Sequence, residues 1–146
     1  MKRFECSLKH GGMERVGIYS IEDVLPFIVE NKGSPNAIRV YDGHEVKMFS
    51  LRYHTFKKSL SCVSCGLKGK FFALERYMRR VPWDNRFHFN LYAIISNGEE
   101  VLMTKDHINP KSLGGKEHID NMQTMCKVCN ELKMNRVEEK NQNEII

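Results

Sequence analysis

Apolar positions in this chain fall into short runs separated by Gly, Asn, Asp and Pro, the pattern of short helices and strands joined by tight turns. Ser20-Ile21-Glu22-Asp23 has the form of a helix start, with Ser20 as N-cap and Asp23 placed to answer it. That helix is predicted to run through Val29 and to stop at Gly33-Ser34-Pro35. Pro26 falls late for a first-turn proline, so a distortion is expected there. Ala37 to Tyr41 and Glu45 to Phe49 read as short strands around Asp42-Gly43, a two-residue hairpin signal. Ser50 to Leu60 reads as a basic helix. Phe87 to Ile95 is apolar and aromatic enough for a strand, which Asn97-Gly98 turns back into Glu100 to Thr104. Lys127 to Val137 reads as a helix, and the polar tail from Glu138 is expected to fray. The division expected is a small α/β unit at residues 1–58, a second unit at 59–137, and a tail at 138–146.

At 146 residues the chain holds one ordinary core, or two small units sharing one. It is 41% hydrophobic and 28% charged, as in soluble globular proteins. No apolar run approaches a membrane span, so no membrane partner is expected. The basic start at Lys2-Arg3 has no apolar stretch behind it, so no signal peptide is expected and the expected location is cytoplasmic. A net charge of +5 permits a polyanionic partner. Between Lys68 and Arg86 six basic residues face two acids, with Phe71, Phe72, Tyr77, Trp83 and Phe87 interleaved. This stretch is either a solvated basic face over buried aromatics or a phosphate-contacting surface with Arg79 and Arg80 as its candidates.

Four of five cysteines form two Cys-x-x-Cys pairs, Cys62/Cys65 and Cys126/Cys129, with Cys6 left over. In a reducing compartment, metal is favoured over disulfides. Thiolates two residues apart reach one tetrahedral Zn²⁺, and two pairs close the site, making it structural. It would tie the start of the second unit to the start of the last helix.

Asp106-His107 closes a predicted strand. A His at a strand end facing a loop can act as general base on water, since its ordinary pKa lies near neutrality. The adjacent Asp106 points to the other side unless the chain twists. Asn130 follows Cys129 in a first helical turn pinned by zinc, from which it can offer an oxygen ligand. One carboxylate and one amide suit Mg²⁺, which keeps waters and takes further ligands from a phosphate. Such an ion would polarise the phosphate and stabilise the leaving 3′ oxygen.

Asp106-His107, Ile108-Asn109-Pro110, Gly114-Gly115, Asn121-Met122-Gln123 and Cys126-x-x-Cys129-Asn130-x-x-Lys133 together resemble the His-Asn-His (HNH) nuclease family over roughly residues 60–137. The separations also fit: fourteen positions from His107 to Asn121 and nine from there to Asn130. The resemblance implies an α+β fold, a ββα-metal core with a structural four-cysteine zinc site behind the small N-terminal α/β unit. It implies His107 as general base, Asp106 and Asn130 as ligands of a catalytic Mg²⁺ or Mn²⁺, and Asn121 as a residue that hydrogen-bonds across the loop and holds His107 in place. The third motif position is Asn rather than His, as in the resolvase-like branch. In this family the last helix lies along the DNA minor groove, making Lys133 and Arg136 candidates for phosphate contact, with Lys111 nearby in the loop.

The expected function is metal-dependent hydrolysis of DNA phosphodiesters, leaving 5′-phosphate and 3′-hydroxyl ends. The N-terminal unit is assigned substrate selection or dimer contacts, since cutting both strands needs a homodimer or two encounters. A build of this kind suits a phage or mobile element in a bacterial cell. The alternative is a non-catalytic zinc-ribbon nucleic-acid-binding module.

Overall fold

The computed structural model describes residues 12–31, 33–78 and 86–134. Arg79, Arg80, Arg136 and the 138–146 tail lie outside the described residues.

Five strands form one antiparallel sheet in the order β1-β4-β5-β6-β7: β1 Met13–Tyr19, β4 Phe71–Tyr77, β5 His88–Ile94, β6 Glu100–His107 and β7 Met122–Cys126. A separate hairpin joins β2 Ile38–Tyr41 to β3 His44–Lys47. Its turn residues have positive φ, 50° at Asp42 and 80° at Gly43, as a type I′ turn requires.

Ser20 Oγ accepts the Asp23 N–H at 3.2 Å and starts α1, Ile21–Val24. The helix predicted to reach Val29 ends there and gives way to a 3₁₀ turn, Leu25–Phe27. Pro26 has no N–H to offer the Glu22 carbonyl, and its ring crowds that carbonyl, so the α-helix cannot continue. Ser50 caps α2, Leu51–Lys58, by accepting the Arg52 N–H at 3.1 Å. The last helix, α3, spans residues 127–134 within the described part.

The division expected after residue 58 coincides with no break in packing. β1 pairs with β4 along most of its length. One core runs from Val24, Val46, Met48 and Phe56 through Phe72, Leu74 and Phe89 to Met103, Met125 and Cys126. β1, β4 and β7 had no strand signal of their own. The middle of β4, Phe72 to Glu75, is buried on both faces, which removes the alternation by which a half-exposed strand is read.

Glu75 is the polar centre of the sheet. It is buried, accepts from Asn90 Nδ2 and Tyr92 Oη at 2.7 Å each, and pairs with Arg15 Nε at 2.8 Å. Arg15 also reaches Glu100 at 2.8 Å and lies 4.9 Å from the Tyr92 ring centre. Removing one partner of a buried pair leaves the other charge uncompensated, so Glu75→Ala should cost about 3–5 kcal/mol. Urea unfolding would show this as a lowered midpoint; a midpoint unchanged from wild type would mean that the network carries little stability.

The sheet forks between β5 and β6. They pair from Tyr92↔Leu102 to Ile94↔Glu100, after which β6 pairs with β7. Along the freed edge of β5, α2 supplies the missing partners. Tyr53 Oη accepts the Phe89 N–H at 2.9 Å, and Arg52 Nη2 donates to the Phe89 carbonyl at 2.7 Å.

Candidate functional site

Two local structures meet at β7: a cluster of four thiols at its end, and a polar loop between β6 and β7.

The first Cys-x-x-Cys forms a turn after α2, closed by Cys62 N–H to Leu67 O at 2.8 Å and Gly66 N–H to Cys62 O at 2.9 Å. Val63 N–H donates to Thr124 O at 3.0 Å and fastens the turn to β7. Cys126 ends β7 and Cys129 lies in the first turn of α3, its N–H on Cys126 Sγ at 3.4 Å. All four Sγ atoms lie within 4.8 Å of one another. Cys65 and Cys126 Sγ are 3.8 Å apart, far beyond a disulfide bond of about 2.05 Å. A tetrahedral thiolate site with metal–sulfur bonds of about 2.3 Å has sulfur–sulfur edges of about 3.8 Å. The four residues therefore fit a closed tetrahedral metal centre. Burial pushes the Cys126 thiol up to about 12 and raises Cys129. At Cys62 burial acts the same way, but backbone N–H groups of Cys126, Cys65 and Ser64 outweigh it and bring the thiol down to about 7. A divalent cation would relieve the cost of charge on thiols packed this closely.

Alternation along β6 sends Thr104 and Asp106 toward α3, and Lys105 and His107 to the opposite face. On the α3 side, Asn130 Nδ2 donates to Thr104 Oγ1 at 2.8 Å. Lys133 Nζ lies 2.6 Å from Asp106 Oδ2 and 2.8 Å from the His107 carbonyl. Gln123 Nε2 donates to the same Asp106 oxygen at 2.9 Å. Asn130 thus meets β6 at Thr104, on the same side as Asp106 and two positions before it. Asn130 bonds Thr104 through its amide nitrogen, so its Oδ1 is the atom that could serve as an oxygen ligand. A carboxylate and an amide oxygen are hard donors of the type Mg²⁺ takes, and Lys133 already marks Asp106 as a place that favours positive charge. A metal ion there would share Asp106 with Lys133 or displace it.

On the other face, the His107 ring is hydrogen-bonded through Nε2 to Glu117 Oε1. Lys105 Nζ lies 3.6 Å from the other Glu117 oxygen, and Lys111 Nζ lies 4.0 Å from Oε1. The bond to His107 first, then the charges of Lys105, His107 and Lys111, hold the Glu117 carboxyl below its usual range against partial desolvation. The sequence reading did not single out Glu117: ten residues of loop separate it from His107, and a lone Glu in a polar loop has no local signature.

Asn121 clamps the loop. Its Oδ1 accepts the Asn109 N–H at 2.8 Å, and its Nδ2 donates to the carbonyls of Asn109 and Lys116 at 3.1 and 2.9 Å. Its own carbonyl accepts the Ile108 N–H, directly after His107, at 2.8 Å. Gly115 makes the tight loop feasible. A Cβ there would lie 1.8 Å from the Asn109 carbonyl oxygen and 2.9 Å from that of Pro110. The Asn109 carbonyl is held by Asn121 and the Pro110 carbonyl by the Leu113 and Gly115 N–H groups, so neither can move without breaking a loop hydrogen bond, and Gly115→Ala should destabilise the protein by about 1–3 kcal/mol, the usual cost of overpacking. A thermal midpoint equal to that of wild type would show the loop to be looser than this geometry.

His118 points its Nδ1 at the Asp120 N–H, 3.2 Å away, and is exposed on the loop surface. Of the basic and aromatic stretch, Phe72 is buried core, whereas Arg76 pairs with Glu14 at 3.2 Å and covers the Phe87 ring at 4.4 Å. Lys111 is exposed beside Glu117.

Residues 96–146, about a third of the chain, match the family model described as HNH endonuclease. No curated protein and no solved structure matches the chain.

Proposed function

We propose, from the HNH endonuclease match over residues 96–146, that the protein is a metal-dependent endonuclease that hydrolyses DNA phosphodiester bonds. The observation that carries this reading is the Asn121 clamp, which closes the matched loop directly behind the Asp106-His107 strand end. In this reading β6, the clamped loop, β7 and α3 are a ββα-metal core, and the four thiols hold a structural Zn²⁺ that fixes the base of α3.

Asp106 and Asn130 would hold Mg²⁺ or Mn²⁺. When bound, that ion supplies charge stabilisation at the phosphate and at the leaving 3′ oxygen. His107 takes a proton from the attacking water through Nδ1, because Glu117 occupies Nε2. Glu117 thereby orients the ring and stabilises the imidazolium that forms. Asn121 holds the backbone on the C-terminal side of His107, so the ring enters the reaction from a fixed place. Lys111, Lys133 and, outside the described residues, Arg79, Arg80 and Arg136 are the phosphate-contact candidates carried from the sequence. Lys133 could act so only by leaving Asp106. The bacterial or phage-infected cytoplasm and a homodimer belong to the same proposal.

The test is conversion of supercoiled plasmid to nicked or linear forms with Mg²⁺ or Mn²⁺, beside EDTA. Cutting that EDTA abolishes supports the nuclease. A plasmid that is shifted on a gel but never cut supports the zinc-ribbon binding module instead. Glu117→Gln should slow cutting by about 10–100-fold, as for partners that orient a reacting group, with Glu117→Asp retaining more activity. Because the Glu117 carboxyl is lowered, its contact with His107 is intact at neutral pH and is lost as pH falls through that lowered value. Cutting by Glu117→Gln at the wild-type rate would remove Glu117 from the mechanism.

A further inference from the structure

The fork between β5 and β6 opens a cleft of about 310 Å³ that the catalytic reading leaves without a role. Its walls carry Lys47, Arg52, Arg86 and Lys105, with Ser50 and Tyr53 from the start of α2. Resting on the nuclease reading above, we propose that this cleft binds a non-scissile phosphate of the nucleic-acid backbone and so guides the strand toward His107.

Four observations carry the proposal. The first is that Arg52 is held in place by neutral acceptors, the Phe89 carbonyl and Asn90 Oδ1, which fix its position without neutralising its charge. Among the described residues no carboxylate pairs with Arg52 or Lys47, and the acids at the rim are Glu45 on Arg86 at 3.1 Å and Glu117 at 3.6 Å from Lys105. Cations gathered in a partly enclosed cleft call for an anion, and a guanidinium's planar fork of donors suits a phosphate's oxygens. Third, α2 begins at the cleft, and its N-terminal dipole adds positive potential there. Fourth, Lys105 and His107 lie on one face of β6, one strand repeat or about 6.6 Å apart. Glu117 touches both, so the cleft and the proposed general base share a wall. A backbone held at Lys47 and Lys105 therefore continues onto His107.

The experiment measures anisotropy of a short fluorescent duplex oligonucleotide against the full chain in EDTA, across a salt series, with plasmid cutting assayed in parallel in Mg²⁺. The variants are Lys47→Ala with Lys105→Ala, compared with Lys57→Ala and Lys68→Ala together as a charge-matched control at exposed lysines outside the cleft. If the cleft binds phosphate, the cleft pair weakens binding by about tenfold or more and lowers the salt slope by about two, and the control falls well short of this. A cleft pair that binds like the control overturns the proposal, and if wild type still cuts plasmid, the nuclease reading stands without it. A cleft pair that loses binding while wild type shows no metal-dependent cutting keeps the phosphate site and removes the nuclease. Wild type that neither binds nor cuts overturns both.

Discussion

His107→Ala is expected to cut plasmid about 10²–10⁴-fold more slowly than wild type in Mg²⁺ or Mn²⁺, the usual contribution of a positioned general base. The side chain is suited to being removed cleanly. It lies at the end of β6, its ring partner among the described residues is the exposed loop residue Glu117, and the backbone around it is held by groups it does not supply. Lys133 binds the His107 carbonyl and Asn121 binds the following N–H, and both contacts persist in the variant. Thermal unfolding should therefore match wild type, so that lost cutting reports chemistry rather than folding. Duplex binding in EDTA should also survive, since the proposed phosphate cleft does not depend on the imidazole. Should the folded variant cut as fast as wild type, either another residue activates water or the cutting comes from a contaminant.

Cys126→Ser is expected to empty the thiol cluster and destabilise the protein more than any other single change named here. Cys126 is buried, ends β7, and receives the Cys129 N–H at the start of α3. Metal binding by such a cluster is folding free energy, about 10–16 kcal/mol in isolated zinc-finger peptides at neutral pH. The present chain also has a hydrophobic core drawn from α1, β3, α2, β4, β5 and β6, so part of the structure should survive metal loss. The region most affected should be β7, α3 and the turn at Cys62, which are joined through the thiols and the Val63–Thr124 bond. Metal analysis of purified protein should find one zinc per chain in wild type and none in Cys126→Ser, and a chelator should lower the wild-type thermal midpoint toward that of the variant. Protein that carries no metal and unfolds identically with and without chelator would make the four thiols ordinary free cysteines. Cutting should also fail in Cys126→Ser, because Asn130 loses the fixed first turn that presents it to the Asp106 side of β6.

Features confined to a few consecutive residues were legible without coordinates. Ser20 and Ser50 at their helix starts, the Asp42-Gly43 turn, and the end of a strand at His107 follow from capping and turn chemistry that acts within about one turn. The two Cys-x-x-Cys pairs were legible as candidate metal ligands because each has the bite of a tetrahedral ion, although only the fold brings Cys62 and Cys65 across to Cys126 and Cys129. The helix end at Pro26 was read as a distortion, and the missing N–H turned it into a stop.

Contacts between distant segments were decided by the tertiary structure. The sequence suggested two units sharing one core, but not that β1 joins the sheet beside β4, whose middle is buried on both faces and so lacks the alternation that marks a strand. Glu117 reaches His107, and Lys133 reaches Asp106, through loop closure and strand alternation that no spacing rule encodes. The cleft at the β5–β6 fork exists because two strands part and α2 completes the freed edge, bringing Lys47, Arg52 and Lys105 together from three separate elements. Residue chemistry and short spacings are properties of the chain itself. Which charges face one another across a fold depends on how strands pair and twist, and the sequence specifies that only through the packing of the whole core.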